Sequence, residues 1–284
     1  MTTEPDQPDV DARLVGLEPV SDDGSAARFT LAPHLCRPDG ALFGGAALSA
    51  TLVAIELATS RLALWATVQF VASAELGDLI DSRVELLARG KYIDQVRVTA
   101  TTGGRLVYTA LGAAATRRDD GIRGSGVRMP DVAPPEDSPP FGGSQGWSDR
   151  GELGHHRVSE FREAERLNAG GDPDRMTMWG RLKGETTTTA AKLGFLADMV
   201  PVAVCRAAGV PGAGTSLDNS LRLGRLVDTE WVLLDHEGHV ADGGYGHGLV
   251  HLWSPDGELM ATGSQTAKLF DFESFRGLGR GANS

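Results

Sequence analysis

Asp198 is the residue of this sequence whose setting most clearly suggests chemistry. It lies in the apolar segment 193–210, which reads LGFLADMVPVAVCRAAGV. Burial of an ionised carboxylate without partners is costly, so such a residue is either paired or used as a base that accepts a proton. Arg206, in the same segment, is the obvious structural partner. Both interpretations are open from the sequence.

Other reactive side chains give weaker signals. Four histidines fall within 16 residues, at His236, His239, His247 and His251. A metal centre needs convergent ligand geometry, and we predict solvated strand histidines and no metal site. The sequence contains no G-x-S-x-G motif of a nucleophile-elbow hydrolase, and GGYGHG at 243–248 is typical of a turn rather than of a dinucleotide loop.

Composition limits the class of protein. Against 38 Asp and Glu stand 27 Lys and Arg, so the net charge of the 284 residues is −11. This acidity argues against nucleic acid or an anionic membrane as the main partner. The 41% apolar content predicts a globular chain, and the two cysteines, Cys36 and Cys205, form no disulfide framework. The acidic first residues are not a secretory signal and no apolar run reaches about 20 residues, so we expect a cytoplasmic protein.

A Pro-, Gly- and Asp-rich stretch divides the chain. Residues 117–154 contain five prolines and lack apolar periodicity, which is typical of a surface linker. The sequence therefore predicts an N-terminal unit over 1–116, a linker over 117–154 and a C-terminal unit over 155–284.

The two units show the same order of elements. Each has an apolar helix, over 40–60 in the first and 189–209 in the second, followed by four strands with alternating apolar residues. Hairpin turns are expected at Gly103-Gly104 and at Pro255–Gly257. GGRLVYTALGAA (103–114) aligns with DGELMATGSQTA (256–267) without a gap. We predict a duplicated α+β unit, in which one long central helix is wrapped by an antiparallel sheet, with the halves sharing one sheet.

Four segments together resemble a known family. LFGGAALSATLVAIEL (42–57), MWGRLKGETTTTAAKLGFLADMV (178–200), GTSLDNSLRL (214–223) and ELMATGSQTAKLF (258–270) resemble, in order and spacing, the type II acyl-CoA thioesterases. The resemblance covers nearly the whole chain. It implies a double hotdog fold, two tandem repeats of a helix and a sheet, and hydrolysis of acyl-CoA to a free fatty acid and CoA.

The resemblance also implies a catalytic trio in the second half. In the family the trio is Asp, Thr and Gln; Asp198 and Gln265 match the first and last, and Ser216 stands at the Thr position. Thr215 competes for that position if the register shifts by one residue. The trio would hold and activate a water, and no residue would become acylated.

The first half is expected to lack a second site. Ser49 and Thr67 are 18 residues apart, as are Asp198 and Ser216, so we match Ser49 to Asp198 and Thr67 to Ser216. The alignment of 103–114 with 256–267 matches Gly112 to Gln265. The carboxylate and the amide are therefore both missing from the first half.

Further residues complete the expectation. Backbone N–H groups at a helix start can bind the oxyanion, and Gly45 or Gly194 would allow close approach of the thioester. Arg222, Arg225 and Lys268 are the first candidates for holding the anionic CoA. No cofactor is implied, and the resemblance favours a homo-oligomer.

Two departures from the family motivate an alternative. Ser replaces Thr at position 216, and the Arg-Pro turns that usually follow both central strands are missing. The alternative is a catalytically weak or inactive acyl-CoA-binding hotdog protein. A dehydratase of the same fold is less favoured, because neither helix contains the His that this chemistry usually needs.

Overall fold

The computed structural model describes residues 10–118, 120–142, 153–167 and 175–272. The helices are α1 (Val10–Leu14), α2 (Gly44–Thr59), α3 (Ala190–Leu196) and α4 (Val200–Ala207). The strands of the first half are β1 (Glu18–Pro19), β2 (Ala26–Thr30), β3 (Leu62–Phe70), β4 (Leu79–Arg89), β5 (Ile93–Thr102) and β6 (Arg105–Ala115). Those of the second half are β7 (Ser159–Glu163), β8 (Arg175–Leu182), β9 (Gly212–Leu223), β10 (Val232–Asp242), β11 (Tyr245–Trp253) and β12 (Leu259–Asp271).

One antiparallel sheet runs through both halves. Its twelve strands have the order β1-β2-β4-β5-β6-β3-β9-β12-β11-β10-β8-β7, so β3 and β9 join the halves. At the centre of that junction Thr67 pairs with Ser220, and their hydroxyl oxygens lie 2.8 Å apart. The predicted sharing of one sheet is confirmed, and so are the turns at Gly103-Gly104 and Pro255–Gly257.

Helix α2 is a buried central helix. It is built largely of Ala, Leu and other small or apolar residues, and 13 of its 16 residues are buried, because the sheet covers one side and α3 another. Side-chain hydroxyls of the helix donate to backbone carbonyls one turn earlier; Thr51 Oγ1, for example, donates to Ala47 O at 2.8 Å. These hydrogen bonds satisfy the hydroxyls inside the core. The helix ends at Thr59, and the following residue, Ser60, caps it in the left-handed conformation at φ 54°.

The second half departs from the predicted long helix. Residues 189–209 form two short helices, α3 and α4, with a break at Ala197–Met199. Pro201 lies in the first turn of α4, where its missing N–H costs nothing, but a continuous helix would press its ring against the Ala197 carbonyl. At the start of α3, the Thr189 side chain accepts a hydrogen bond from Lys192 N at 3.1 Å and caps the helix.

The outer face of the second-half sheet is partly covered by the Pro-rich stretch. Trp179 Nε1 donates to Ala133 O at 2.8 Å, and single bridges join Val132 to Arg166 and Pro140 to Arg162. Met129 and Val132 pack there on a small cluster that includes Trp179 and Trp253. The main core lies on the opposite face, between the sheet and the helices. Across the described ranges, no helix is both long and apolar enough to cross a membrane.

Candidate active site

Asp198 lies in the break between α3 and α4, where its carboxylate meets the start of α2. Oδ2 accepts a hydrogen bond from Gly45 N at 2.6 Å. Oδ1 accepts from Gln265 Nε2 in a short contact and from Asn219 Nδ2 at 3.2 Å. These three donors leave one of about four lone-pair positions of the carboxylate for a further partner.

Gln265 links three elements through one buried amide. Besides its bond to Asp198, Nε2 donates to Ser216 Oγ at 3.1 Å, and Oε1 accepts from Val200 N at 3.2 Å. Val200 is the first residue of α4, so its N–H has no partner inside the helix. The amide is therefore fixed in one orientation, with both protons used and one lone pair of Oε1 remaining.

A β-bulge brings Ser216 and Asn219 to the same side of the sheet. Gln265 pairs with Asn219, and Ala267 pairs with Ser216. The chain advances by two positions on β12 and by three on β9 between these pairs, so β9 has one extra residue, Leu217. In a regular strand, residues three positions apart face opposite sides. The bulge thus lets the hydroxyl of Ser216 and the amide of Asn219 both reach the neighbourhood of Asp198. Strict alternation places Asn219 on the opposite face from Ser216, so the sequence pattern alone does not predict Asn219 as part of the site.

Ser216 and Thr215, which compete for the Thr position of the family, make different contacts. Thr215 is exposed, and its Oγ1 accepts from Arg37 Nη1 at 3.3 Å rather than contacting Gln265. Ser216, partly buried, is the hydroxyl that contacts the amide.

The glycines at the start of α2 permit the close approach of Asp198. A Cβ on Gly44 would lie 2.6 Å from Asp198 Oδ2, and one on Gly45 would lie 2.6 Å from Phe195 O. The N–H of Gly45 is already bonded to Asp198. Gly194 lies elsewhere, in the contact between α3 and α2, where a Cβ would be 3.0 Å from Leu52 Cδ1. The structure therefore brings Gly45 to Asp198 and leaves Gly194 in helix packing.

Burial controls the acid–base chemistry of Asp198. It raises the pKa of the carboxyl to about 6, while hydrogen bonds from Gln265 and Gly45, the charge of Arg37 and the Ser216 hydroxyl act in the opposite direction. A carboxylate with this pKa is mostly ionised at neutral pH and is still basic enough to accept a proton efficiently.

The alternative partner of Asp198 is contradicted. Arg206 pairs with Glu163 at 2.6 Å. His236 also departs from expectation: it is fully buried rather than solvated, with Nδ1 3.2 Å from Met176 O, and burial lowers its pKa to about 4. Within the described residues no group of three or more His, Cys, Asp or Glu is placed to hold a metal ion.

The sheet register corrects one predicted equivalence. Gly112 and Gln265 are 153 positions apart, and so are Ala63 and Ser216, which occupy the same place beside the same bulge in β3 and β9. Ala63, not Thr67, is therefore the counterpart of Ser216, and Thr67 corresponds to Ser220. The assumption of a constant spacing is wrong because Asp198 and Ser216 are 18 residues apart, whereas Ser49 and Ala63 are 14 residues apart.

The sheet and helices have the arrangement of a double hotdog, and the cluster around Asp198 is its candidate active site. Two family models, for the N-terminal and the C-terminal domain of acyl-CoA thioesterases, match residues 33–118 and 130–269. The chain belongs to the acyl-CoA thioesterase family and is a thioester hydrolase.

Solved structures resemble the chain over most of its length. A candidate thioesterase from Novosphingobium aromaticivorans is 31% identical, with a TM-score of 0.78, over 89% of this chain and 97% of that chain. Acyl-CoA thioesterase II TesB2 from Mycobacterium marinum is 19% identical, with a TM-score of 0.73, over 93% and 100%. A protein with a hot dog fold from Alicyclobacillus acidocaldarius is 22% identical, with a TM-score of 0.75, over 92% and 98%. The latter two show the fold alone, and no curated protein matches the sequence.

Proposed function

We propose that the protein hydrolyses acyl-CoA to a free fatty acid and CoA, with Asp198 as the general base that activates water. The observation that carries the proposal is the convergence of Ser216, Asn219 and Gln265 on the Asp198 carboxylate at a helix start. Each of these side chains comes from an element of the second half, so we expect one site per chain.

The free hydrogen-bonding positions suit a single water. Asp198 has one lone-pair position left to accept a proton from the water, and Gln265 Oε1 has another. Ser216 Oγ accepts from Gln265, and we propose that its hydroxyl proton turns from Asp198 to the water oxygen when the water binds. A water held in this way has a lone pair directed at a thioester carbon, and Asp198 takes its proton as the carbon–oxygen bond forms. CoA then leaves as the thiolate, which takes the proton from Asp198 and so restores the carboxylate.

The start of α2 supplies the positive end that the developing oxyanion needs. The helix has 16 residues and begins at Gly44, beside Asp198. Because Gly45 N–H is bonded to Asp198, the first N–H of the helix, at Gly44, is the donor that we assign to the oxyanion.

An open strand edge offers the route for the substrate. On the side that faces β3, β9 is paired only over Asp218–Arg222, so Ser216 lies beyond the end of that pairing. Lys268 on β12 is exposed and pairs with Thr215 on β9, next to this opening. Of the three cations predicted to hold CoA, Lys268 is the one that pairs with the residue next to Ser216, and we propose that it contributes to holding CoA.

The test is release of free thiol from acyl-CoAs of graded chain length. We expect turnover by the wild type and a fall in kcat/KM of about 10³-fold for Asp198→Asn, since general-base catalysis contributes about 10²–10⁴-fold. Asp94→Asn is the matched control, because Asp94 is also a buried carboxylate but pairs with Arg61 in the first half. Its activity per folded molecule should equal that of the wild type.

Ser216 stands where the family has Thr, so a catalytically weak or inactive protein that binds acyl-CoA is the second candidate. A serine hydroxyl lacks the methyl that restricts the side chain of threonine. Measurable binding of acyl-CoA without turnover at any chain length would favour that candidate and contradict the enzyme. The predicted homo-oligomer stays a prediction, which light scattering would check.

A further inference from the structure

Arg37 reaches the site from the other half of the molecule. It lies in a tight loop between the first strands and α2, in which Arg37 N donates to Ala41 O at 2.7 Å and Gly40 N donates to Arg37 O at 3.0 Å. An isolated bridge between Ala41 and Glu75 ties the same loop to the chain that follows β3. The loop is therefore held at both ends.

The guanidinium of Arg37 is fixed by two partners. Nε and Nη2 donate to the two carboxylate oxygens of Asp39 at 3.1 and 2.5 Å, and Asp39 also accepts from Ala41 N at 3.2 Å. Such a bidentate pair sets the plane of the guanidinium. Nη1 points the other way and donates to Thr215 Oγ1, one residue before Ser216.

Within the described part of the chain, the groups that donate hydrogen bonds to Asp198 are uncharged. The donors on its carboxylate are Gly45 from α2, Asn219 from β9 and Gln265 from β12. Ser216 on β9 and Val200 on α4 are bonded to Gln265 and are also neutral. Burial acts against the ionised carboxylate, and the one full charge that favours it belongs to Arg37, whose own partner is Asp39.

We propose that Arg37 is a positioning residue of the N-terminal half, whose guanidinium keeps Asp198 ionised and so ready to accept a proton. The kinetic part of this inference rests on the proposed function; the effect on the charge of Asp198 does not. The arrangement gives the first half, which lacks a site, a role in the site of the second.

The direct test is a carboxyl-carbon NMR titration of protein labelled at aspartate. The resonance of Asp198 is identified by its loss in Asp198→Asn. We expect its midpoint to rise by about one pH unit in Arg37→Gln, because a nearby opposite charge is removed. It should stay in place in Arg37→Lys, which keeps the charge, and in the control Arg206→Gln, whose side chain pairs with Glu163.

Salt and kinetics give two further readouts. Arg37 is 30% exposed, so added salt should raise the midpoint of the wild type and leave that of Arg37→Gln nearly unchanged. In kcat/KM, Arg37→Gln should lose about fivefold more at pH 6 than at pH 8. A merely structural Arg37 would lower kcat/KM equally at both pH values.

The outcomes separate the two proposals. An unchanged midpoint in Arg37→Gln overturns the role of Arg37, whatever the activity. A raised midpoint in a protein without turnover supports that role and contradicts the proposed function.

Discussion

The surroundings of Asp198 and the matching place in the first half share a backbone and differ in side chains. Both have a β-bulge, at Leu217 in β9 and at Leu64 in β3. Where the second half has Ser216, Asn219 and Gln265, the first has Ala63, Ala66 and Gly112. A duplicated fold thus supplies two equivalent places, and polar side chains fill only one.

The space in the first half is closed rather than left open. A Cβ on Gly112 would lie 2.6 Å from Ile55 Cδ1, so the helix side chain occupies the volume that an amide would need. The hydroxyl of Ser49 is likewise bound to Gly45 O and Ala191 O, at 2.8 and 2.7 Å. The difference shows that the site depends on side-chain chemistry, while the bulge belongs to the fold.

The comparison first predicts that Asp198 makes a pH-dependent contribution to stability and that its counterpart in the first half, Ser49, makes none. Burial raises the pKa of Asp198 from 3.8 to about 6, so the folded state prefers the protonated form. Stability from this group is therefore fully present below pH 4 and is lost as the pH rises through about 6. The loss is about 3 kcal/mol, which the difference between the wild-type and Asp198→Asn denaturation curves from pH 4 to 8 would measure.

A pH-independent difference between the two proteins would contradict this account of Asp198. Ser49→Ala serves as the control from the first half, because Ser49 does not titrate. Its stability relative to the wild type should be the same at each pH.

A smaller effect is expected when Ser216 is replaced by alanine, the residue that its counterpart Ala63 has in the first half. Ser216→Ala removes one hydroxyl from the water and should lower kcat/KM by about tenfold, a difference of about 1.4 kcal/mol. Ser216→Thr keeps the hydroxyl and should stay within about threefold of the wild type. Equal activity of the Ala and Thr variants would show that the hydroxyl does not hold the water.

Much of the fold could be predicted from local pattern. The apolar helix α2, the alternation of β4 and β5, and the paired glycines at 103–104 are signals within single segments. Pro201 is a local signal for the break after Leu196, but the apolar run around it favours one continuous helix. The division into 1–116, 117–154 and 155–284 stays a prediction.

The site was only partly predictable because its parts meet across long separations. Asp198, Ser216 and Gln265 came from the resemblance, and the structure brings them together. Asn219 depends on a bulge, which changes the face of a residue without a local sequence mark. Arg37 depends on how the two halves pack, and its contact with Thr215 spans 178 positions.

The most direct test of a single water held by one cluster is a double-mutant cycle between Asp198 and Gln265. We predict that Asp198→Asn and Gln265→Ala each lower kcat/KM by at least about 100-fold. Because both side chains act on the same water, the double variant should be no more than about threefold below Asp198→Asn. Losses that multiply in the double variant, or a Gln265→Ala protein as active as the wild type, would contradict the account.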